Sequence, residues 1–360
     1  MTRPVIASID SAALQHNLTR VRQLAPASSV MAIVKADAYG HDLLISSRAL
    51  IAADAIGLLD LDDAITLRKA GFTQPICLLE GFFEANEIPL IASNKLESVI
   101  HSHWQLDVLE SCQDELELSV WLKVDTGMNR LGFAPAEFKE TMARLSSMQG
   151  IKRISLMSHL ANADYPENQS TAEQLRTFTD TVESAGLPRS LANSAAILAH
   201  PDCQMEWVRP GIMLYGSSPF EESSANDLNL KPVMSLQSKI ISIKQCSKGD
   251  AIGYGSTWIC PEDMSVAVIA CGYGDGYPRH APAGTPIMVA GQKTQLIGRV
   301  SMDMVTADLR GIDNAAVGSA VELWGAEISV DEVAKLCGTI AYELLCGITS
   351  RVKRQDVANG

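Results

Sequence analysis

Short apolar runs alternate with helical patterns along the first two-thirds of the chain. Leu14, Leu18 and Val21 follow Asp10 at helical spacing, which predicts a helix that Asp10 caps. The apolar runs, which predict buried strands, cover residues 30–34, 55–59, 75–79, 118–124 and 154–158. Strands separated by helices are typical of βαβ units and a parallel sheet. The alternation therefore predicts an α/β fold.

A (β/α)8 barrel is the parallel architecture that this length of chain fits best. About eight strand–helix units can be placed before residue 230. A doubly wound open sheet is the alternative, but no glycine-rich dinucleotide fingerprint follows the first predicted strand. We therefore predict a TIM-like barrel over residues 1–230.

The pattern changes in a polar, loop-like stretch near residues 219–232. Strand signals punctuated by Gly and Pro dominate after Lys231, over residues 238–243, 265–270, 286–289 and 304–307. Short helices are predicted over residues 330–336 and 341–346. We predict a second, mainly β domain over residues 231–360.

Charge and composition exclude several classes of protein. The formal net charge is -13 and no long basic run offsets it, which argues against nucleic acid as a partner. The N-terminus lacks the apolar core of a signal peptide, and no stretch approaches about 18 apolar residues, so we expect no membrane span. The cysteines stand singly, without a CxxC pair, as reduced thiols do. We predict a cytoplasmic protein.

Lys35 lies directly after the apolar run at residues 30–34, at the carboxyl end of the strand predicted there. Barrel enzymes place their chemistry at that end of the barrel. Apolar neighbours would desolvate the amine, and the lowered pKa would free it to form a Schiff base. Taken alone, a solvent-exposed lysine at a strand end is the simpler explanation.

Other polar side chains follow predicted strands in the same way. One such residue means little, because a lone histidine or arginine is often a satisfied core residue or an ion-pair partner. Their repetition in successive units, however, predicts a ring of polar groups around one mouth of the barrel. These residues are Lys123, Asp125, Arg130, His159, Asn193, Ser194 and Arg209.

The last of these units carries the features of a phosphate site. Late strands of such barrels often bind phosphate through backbone N–H groups and a helix N-terminus. Ser194 begins a helical pattern, and Gly211 followed by Ile212 allows the backbone to approach a ligand closely. A lysine together with a phosphate site is the outline of a pyridoxal-phosphate pocket.

Two other features predict no chemistry. His101 and His103 have the spacing of a metal pair, but no third ligand is evident, so we expect no metal. Residues 349–354, Thr-Ser-Arg-Val-Lys-Arg, are predicted to be a solvated basic tail.

Six segments, spread in order over nearly the whole chain, resemble motifs of the alanine racemase family. Residues 34–41, Val-Lys-Ala-Asp-Ala-Tyr-Gly-His, are similar to the pyridoxal-lysine motif of that family. The others are 123–132 (Lys-Val-Asp-Thr-Gly-Met-Asn-Arg-Leu-Gly), 207–216 (Trp-Val-Arg-Pro-Gly-Ile-Met-Leu-Tyr-Gly), 253–257 (Gly-Tyr-Gly-Ser-Thr), 272–277 (Gly-Tyr-Gly-Asp-Gly-Tyr) and 298–304 (Gly-Arg-Val-Ser-Met-Asp-Met). The resemblance implies a barrel plus a β domain in a homodimer. It also implies interconversion of L- and D-alanine with pyridoxal 5'-phosphate, which serves the bacterial cell wall.

The resemblance also implies a role for individual residues. Lys35 would bind the cofactor as a Schiff base and act as one base, while Tyr254 of the other subunit would act on the opposite face. The residues implied for cofactor binding are Tyr39, His159, Asn193, Ser194, Arg209, Gly211, Ile212 and Tyr342. Those implied for the substrate are Arg130, Tyr273 and Met302, the last two across the dimer interface. Lys123 matches a position that can be carbamylated to fix Arg130.

Arg209 is the residue that would favour racemisation over other reactions of pyridoxal phosphate. In the family it faces the pyridine nitrogen, and a guanidinium group only donates hydrogen bonds and scarcely loses its protons. The nitrogen would stay unprotonated, so a weakly stabilised carbanion would be reprotonated quickly at Cα. His159 would link Arg209 to Tyr254. Two positions, Asn129 and Asp42, depart from a glycine that is common in the family.

Three rival functions share parts of this pattern. A non-catalytic pyridoxal-phosphate-binding protein would lack the β domain that carries Tyr254. A decarboxylase of similar architecture would pair the pyridine nitrogen with a carboxylate, whereas Arg209 is basic. A racemase that prefers serine or another small amino acid is not excluded, because pocket volume depends on packing.

Overall fold

The computed structural model describes residues 3–112 and 117–357, so Met1 and Thr2 of the N-terminal stretch lie outside the described residues. A short strand, β1 (Ile6–Ile9), comes first. The next eight strands close a barrel in which every pairing is parallel and follows chain order. They are β2 (Ser29–Ile33), β3 (Ala55–Leu58), β4 (Ile76–Leu78), β5 (Glu97–Ile100), β6 (Leu118–Lys123), β7 (Ile151–Met157), β8 (Arg189–Ser190) and β9 (Trp207–Val208). The predicted TIM-like barrel is confirmed.

Helices connect the barrel strands. They are α1 (Ser11–Leu24), α2 (Lys35–Gly40), α3 (Leu43–Ala49), α4 (Leu61–Lys69), α5 (Ile88–Ser93), α6 (His103–Ser111), α7 (Phe138–Ser147), α8 (Ser170–Val182) and α9 (Ser194–Ala199). Asp10 caps α1 as predicted, since its carboxylate accepts a hydrogen bond of 2.9 Å from the Ala13 N–H. Among the described residues, no helix is both long enough and apolar enough to cross a bilayer.

The rest of the chain builds a mainly antiparallel sheet of eight strands, in the order β13-β16-β15-β14-β17-β10-β1-β18 within the described residues. A separate hairpin pairs β11 with β12. These strands are β10 (Met234–Cys246), β11 (Ala251–Ile252), β12 (Trp258–Ile259), β13 (Met264–Ile269), β14 (Pro286–Val289), β15 (Gln292–Ile297), β16 (Val305–Asp308), β17 (Ala320–Trp324) and β18 (Lys353–Asp356). Helices α10 (Val330–Leu336) and α11 (Ala341–Cys346) match the predicted positions.

Strand β1 belongs to this second sheet and not to the barrel. It pairs antiparallel with β10 and parallel with β18. The range 1–230, which we predicted as the barrel domain, therefore does not coincide with the barrel itself. A short apolar strand signals burial but not the strand it pairs with, so its sequence could not place it. The division at residues 230 and 231 otherwise stays a prediction.

Asn17 ties the barrel to the chain that enters the second sheet. This buried side chain donates hydrogen bonds to the carbonyl oxygens of Leu214 (3.0 Å) and Lys231 (2.9 Å). Its own oxygen accepts a bond of 2.8 Å from the Lys231 N–H. Because three backbone groups depend on one amide, the crossing between the two regions has a fixed geometry.

Replacement of Asn17 should destabilise the whole chain. Asn17→Ala leaves two carbonyl oxygens and one N–H without their partner, which costs about 1–3 kcal/mol for each buried group that water cannot reach. We expect a clear fall in the thermal unfolding midpoint, measured by circular dichroism. Gln15→Ala, an exposed change on the same helix, is the control and should leave the midpoint nearly unchanged. Equal midpoints for the two variants would contradict this account.

Candidate functional site

A cavity of about 810 Å³ opens at the carboxyl ends of the barrel strands. Eleven of the fourteen residues for which the sequence predicted a catalytic, binding or modification role line it. They are Lys35, Tyr39, Lys123, Arg130, His159, Asn193, Ser194, Arg209, Gly211, Ile212 and Tyr342. Each follows a strand end or, for Tyr342, lies on α11 beside the barrel mouth. Asp125 of the predicted polar ring does not line the cavity, because its carboxylate instead accepts hydrogen bonds from the N–H groups of residues 127–129. The barrel thus converts positions far apart in sequence into one site.

Lys35 begins α2, and the four residues after it form a left-handed turn. The φ values of residues 36–39 lie between 52° and 55°. Left-handed backbone costs about 1–2 kcal/mol for each residue other than glycine, so this turn needs external support. His41 supplies part of it, since its Nδ1 lies 2.8 Å from the Tyr39 carbonyl oxygen and 3.1 Å from that of Ala38. Both partners are acceptors, so Nδ1 carries the proton.

Burial and neighbouring cations lower the pKa of both lysines in the cavity. Desolvation lowers the pKa of Lys35 most, and the guanidinium group of Arg130 lowers it further. Lys123 is 9% exposed, and desolvation, followed by the charges of Arg209 and Arg130, lowers its pKa to about 8. The neutral amine is the nucleophilic form of lysine. Both amines are therefore more reactive at neutral pH than a lysine in water.

Arg209 and His159 form a buried pair behind the cavity. The Arg209 guanidinium donates to the Ser190 hydroxyl (2.5 Å) and to the Ser158 carbonyl oxygen (2.5 Å), and its Nη2 lies 3.5 Å from His159 Nδ1. Burial lowers the pKa of Arg209 to about 10, which still leaves it charged at neutral pH. Burial and then Arg209 lower the pKa of His159 well below its usual value. The imidazole is thus neutral, and Arg209 presents a fixed positive charge.

One end of the cavity is suited to an anion. The Ser194 hydroxyl accepts from the Gly211 N–H (2.8 Å), which leaves its own proton free to donate elsewhere. A side chain at Gly211 would place its Cβ 2.5 Å from the Tyr39 hydroxyl oxygen, so glycine keeps this end open. Burial raises the pKa of Tyr39 and of Tyr342, so both hydroxyls stay protonated. Protonated hydroxyls can donate to phosphate oxygens.

The two departures from glycine both stand at left-handed positions. Asn129 has φ 56° in the loop that carries Arg130, and Asp42 has φ 69° before α3. Asn and Asp tolerate positive φ better than other residues with a side chain. Asp42 also caps α3, because its carboxylate accepts from the N–H groups of Leu44 (3.0 Å) and Ile45 (2.9 Å). These substitutions keep the backbone shape that glycine would allow.

Three predicted site residues lie outside this cavity. Tyr254, Tyr273 and Met302 are 69%, 40% and 52% exposed. The loops of Tyr273 and Met302 adjoin each other, because the Tyr273 N–H donates to the Ser301 carbonyl oxygen (3.1 Å) and the Gly274 N–H donates to that of Met302 (2.8 Å). Within one chain, the structure does not bring them to Lys35. Large exposed apolar side chains on adjoining loops are typical of an interaction surface.

Some residues of the cavity carried no prediction. Glu80, Asp164, Leu160, Ile340 and Cys346 also line it. Glu80 follows β4, so the strand-end signal could have identified it. Ile340 and Cys346 come from the second region, where the strand-end signal does not apply, so the sequence could not place them at the barrel mouth.

The two histidines with metal-pair spacing have other partners. His101 Nε2 lies 3.0 Å from the Glu80 carbonyl oxygen, and His103 Nε2 lies 2.9 Å from the Glu137 carboxylate. No cluster of three or more His, Cys, Asp or Glu side chains that could hold a metal ion occurs in the part of the chain that the structure describes.

The prediction of a solvated tail at residues 349–354 is wrong. The Arg354 side chain is only 13% exposed and donates to four backbone carbonyl oxygens. Arg351 pairs with Asp275 and Asp303. Gly40, Asp275 and Asp303 are distant in sequence, and backbone carbonyl acceptors cannot be recognised from residue types, so these contacts could not be predicted.

His41 should make the folded protein less stable as the pH decreases from about 6.5 toward 4. Burial lowers the pKa of His41 to about 4 in the folded protein, whereas an unfolded histidine titrates near 6.5. Between these values the unfolded chain binds a proton that the folded chain does not. The free energy of unfolding therefore falls by up to about 1.4 kcal/mol for each pH unit as pH decreases through this window.

Denaturant unfolding of wild type and His41→Asn between pH 7 and pH 4.5 measures this effect. We expect the variant to be less stable at pH 7 and to lose less stability on acidification. His280→Asn, which removes an exposed imidazole, should keep the wild-type pH dependence. An unaltered pH dependence in His41→Asn would show that this buried imidazole is not the responsible group.

Comparisons with known proteins agree with this arrangement. The alanine racemase N-terminal domain model matches residues 9–219, and the C-terminal domain model matches residues 233–356. An alanine racemase of Nitrosospira multiformis is 49% identical over 98% of this chain and 99% of its own length. A catabolic alanine racemase of Klebsiella aerogenes is 46% identical over 98% of this chain and 99% of its own length. The crystal structure of the biosynthetic alanine racemase of Pseudomonas aeruginosa superimposes with a TM-score of 0.95 at 44% identity, covering 99% of each chain. The chain therefore belongs to the alanine racemase family.

Proposed function

We propose that this alanine racemase binds pyridoxal 5'-phosphate at Lys35 and moves the α-proton of alanine between Lys35 and Tyr254, with Tyr254 supplied by a second copy of the chain. The observation that carries the proposal is that the predicted site residues lie in two separate places, the cavity and the exposed loops. Lys35 lies in the cavity with an amine of lowered pKa, while Tyr254, Tyr273 and Met302 lie on an exposed face outside it.

The charges of the cavity support an anionic cofactor. Lys35, Lys123, Arg130 and Arg209 line it, against the carboxylates of Glu80 and Asp164. This excess of positive charge occurs in a chain whose formal net charge is -13. A phosphate group, a phenolic oxygen and a substrate carboxylate would all be attracted to it.

The donors at the open end fit the phosphate group. Tyr39, Ser194 and Tyr342 line the cavity together with Gly211 and Ile212, and the Tyr39 hydroxyl lies beside the space that Gly211 leaves free. Asn193 supports them by capping α9, since its oxygen accepts from the Ala196 N–H (3.0 Å). We therefore assign the phosphate to these residues and the covalent bond to the Lys35 amine.

When bound, pyridoxal phosphate withdraws electrons from Cα of an attached amino acid and so makes its hydrogen acidic. Arg209 would limit this electron withdrawal, because a guanidinium group facing the pyridine nitrogen would donate a hydrogen bond without giving up its proton, which would favour rapid return of a proton to Cα. Lys35 receives the proton on one face in its neutral form. Arg130, which has no carboxylate partner within 4.0 Å among the described residues, is free to bind the substrate carboxylate.

Tyr254 must lose a proton to act as the second base. An unperturbed tyrosine titrates near 10, so it needs a cationic environment to do so at neutral pH. We propose that the His159–Arg209 pair of the facing copy provides it. Arg209 lies 3.5 Å from His159, and His159 lines the cavity that the second Tyr254 would enter.

Lys123 is proposed to be carbamylated. Its pKa of about 8 leaves a fraction of neutral amine at neutral pH, which is the form that combines with carbon dioxide and releases a proton. The resulting negative carbamate would lie among Arg209, Arg130 and Lys35, the three cations that oppose its protonated form. Such a group would fix Arg130 toward the substrate.

Two wider roles of the enzyme remain proposals. Supply of D-alanine to the bacterial cell wall follows from the family alone. The named relatives include both a biosynthetic and a catabolic enzyme, so similarity does not decide whether this enzyme makes or consumes D-alanine. The cytoplasmic location stays a prediction from the sequence.

Mixing two inactive variants tests the shared site. Lys35→Ala and Tyr254→Phe should each be inactive alone. In a heterodimer, one site would combine the intact Lys35 of one chain with the intact Tyr254 of the other, while the second site would have neither. Random exchange makes half of the dimers mixed, so about a quarter of wild-type activity should return.

Subunit exchange is checked by native mass spectrometry with differently tagged chains. Mixing Lys35→Ala with a second tagged Lys35→Ala is the matched control and should restore nothing. Confirmed exchange without recovery would show that each site is built within one chain.

A further inference from the structure

Residues 349–354 follow α11 and run into the first two residues of β18, and they contact both halves of the proposed catalytic machinery. We refer to them as the connecting segment. Its two arginines point to different loops, one at the barrel mouth and one in the second region. A segment of six residues is therefore bonded to the Lys35 turn and to the loops that carry Tyr273 and Met302.

Arg354 holds the left-handed turn that follows Lys35. Its Nε donates to the Gly40 carbonyl oxygen (3.2 Å), and its Nη2 lies 3.8 Å from the Asp37 carboxylate. The rest of the guanidinium is fixed by carbonyl oxygens of the connecting segment and its neighbour, at Thr349 (2.9 Å), Val352 (3.2 Å) and Ile348 (2.8 Å). The guanidinium group of Arg354 is thus held in place by several hydrogen bonds, and it stabilises the left-handed turn after Lys35.

Arg351 and Thr349 hold the loops of the second region. Arg351 Nε lies 3.3 Å from the fully buried carboxylate of Asp275, and its Nη2 lies 2.5 Å from that of Asp303, the residue after Met302. The Thr349 hydroxyl donates to the Gly274 carbonyl oxygen (2.9 Å). These contacts fix the chain directly after Tyr273 and directly after Met302.

We propose that Arg354 and Arg351 are positioning residues, Arg354 for the cofactor half of the site and Arg351 for the substrate half. The inference rests on the proposed function, in which Lys35 and Tyr39 hold the cofactor while Tyr273 and Met302 shape the substrate pocket of the facing copy. Neither arginine lines the Lys35 cavity, so neither is a catalytic residue.

The two arginines should respond differently to lysine. Arg354 bonds four carbonyl oxygens in different directions, which needs the planar fork of a guanidinium group and which a lysine cannot reproduce. Arg351 faces two carboxylates, so the point charge of a lysine keeps most of its attraction. The conservative change is therefore expected to rescue one position and not the other.

Lysine and glutamine variants at both positions test the proposal in the holoenzyme. Pyridoxal phosphate release is followed from visible absorbance after dilution, and KM and kcat for alanine are measured separately. Arg310→Gln is the matched control, because it removes an arginine paired with Asp308 and Glu262 on the second region away from the site.

We expect Arg354→Gln and Arg354→Lys both to release the cofactor faster, on the order of tenfold, because several hydrogen bonds of a charged group are lost. Arg351→Gln should keep the wild-type release rate but raise KM for alanine several-fold, and Arg351→Lys should restore KM. Arg310→Gln should change neither quantity. If Arg354→Gln does not fold, Arg354→Lys, which keeps the charge, decides.

Wild-type release in both Arg354 variants would overturn the proposal, as would equal effects of both arginines on release and on KM. Wild-type protein that binds no pyridoxal phosphate would instead contradict the proposed function, and this inference with it, before any variant is compared.

Discussion

Positive charge crowded at the mouth of the barrel is the constraint on which the site depends. Lys35, Lys123, Arg130 and Arg209 share one cavity, and mutual repulsion adds to the cost of removing them from water. The protein meets this cost by lowering the pKa of both lysines, so their amines shed protons more readily. Arg209 keeps its charge, because hydrogen bonds to Ser190 and Ser158 replace its water. The same arrangement favours anionic ligands and a nucleophilic amine.

The backbone around Lys35 adds a second cost that distant residues offset. Four consecutive left-handed residues are unfavourable by themselves, yet they bring Tyr39 to the end of the cavity that we propose for a phosphate group. His41 and Arg354 satisfy the carbonyl oxygens that this turn exposes. Gly40 lets the turn approach α11, since a Cβ there would lie 2.1 Å from the Leu345 carbonyl oxygen. The strained backbone after Lys35 is thus stabilised by the C-terminal part of the chain.

The sequence predicted the features that depend on periodicity. Apolar runs located most barrel strands, and polar residues at the carboxyl ends of strands identified seven residues of the cavity, namely Lys35, Lys123, Arg130, His159, Asn193, Ser194 and Arg209. Tyr39 and Tyr342 were implied only by the family resemblance. Other features have no periodic signal. Strand β1 is apolar but its partner is not encoded locally, and β8 and β9 contain only two residues each. Ala36 and Ala38 have no preference for left-handed backbone, so the turn could not be foreseen. Arg354 resembled a tail residue because its acceptors are carbonyl oxygens.

The division of labour between Lys35 and Tyr254 is the central claim, and isotope exchange tests it directly. We propose, as the family resemblance implies, that Lys35 serves the D isomer and Tyr254 the L isomer. In Tyr254→Phe, the α-hydrogen of D-alanine should therefore still exchange with deuterated solvent, because Lys35 remains. The rate of α-hydrogen exchange from L-alanine should fall by about 10²–10⁴-fold, the usual contribution of a general base. Nuclear magnetic resonance of each isomer, with chiral analysis of the products, measures both rates. Equal loss of exchange from the two isomers would contradict the account, since Tyr254 would then not be a base for one face.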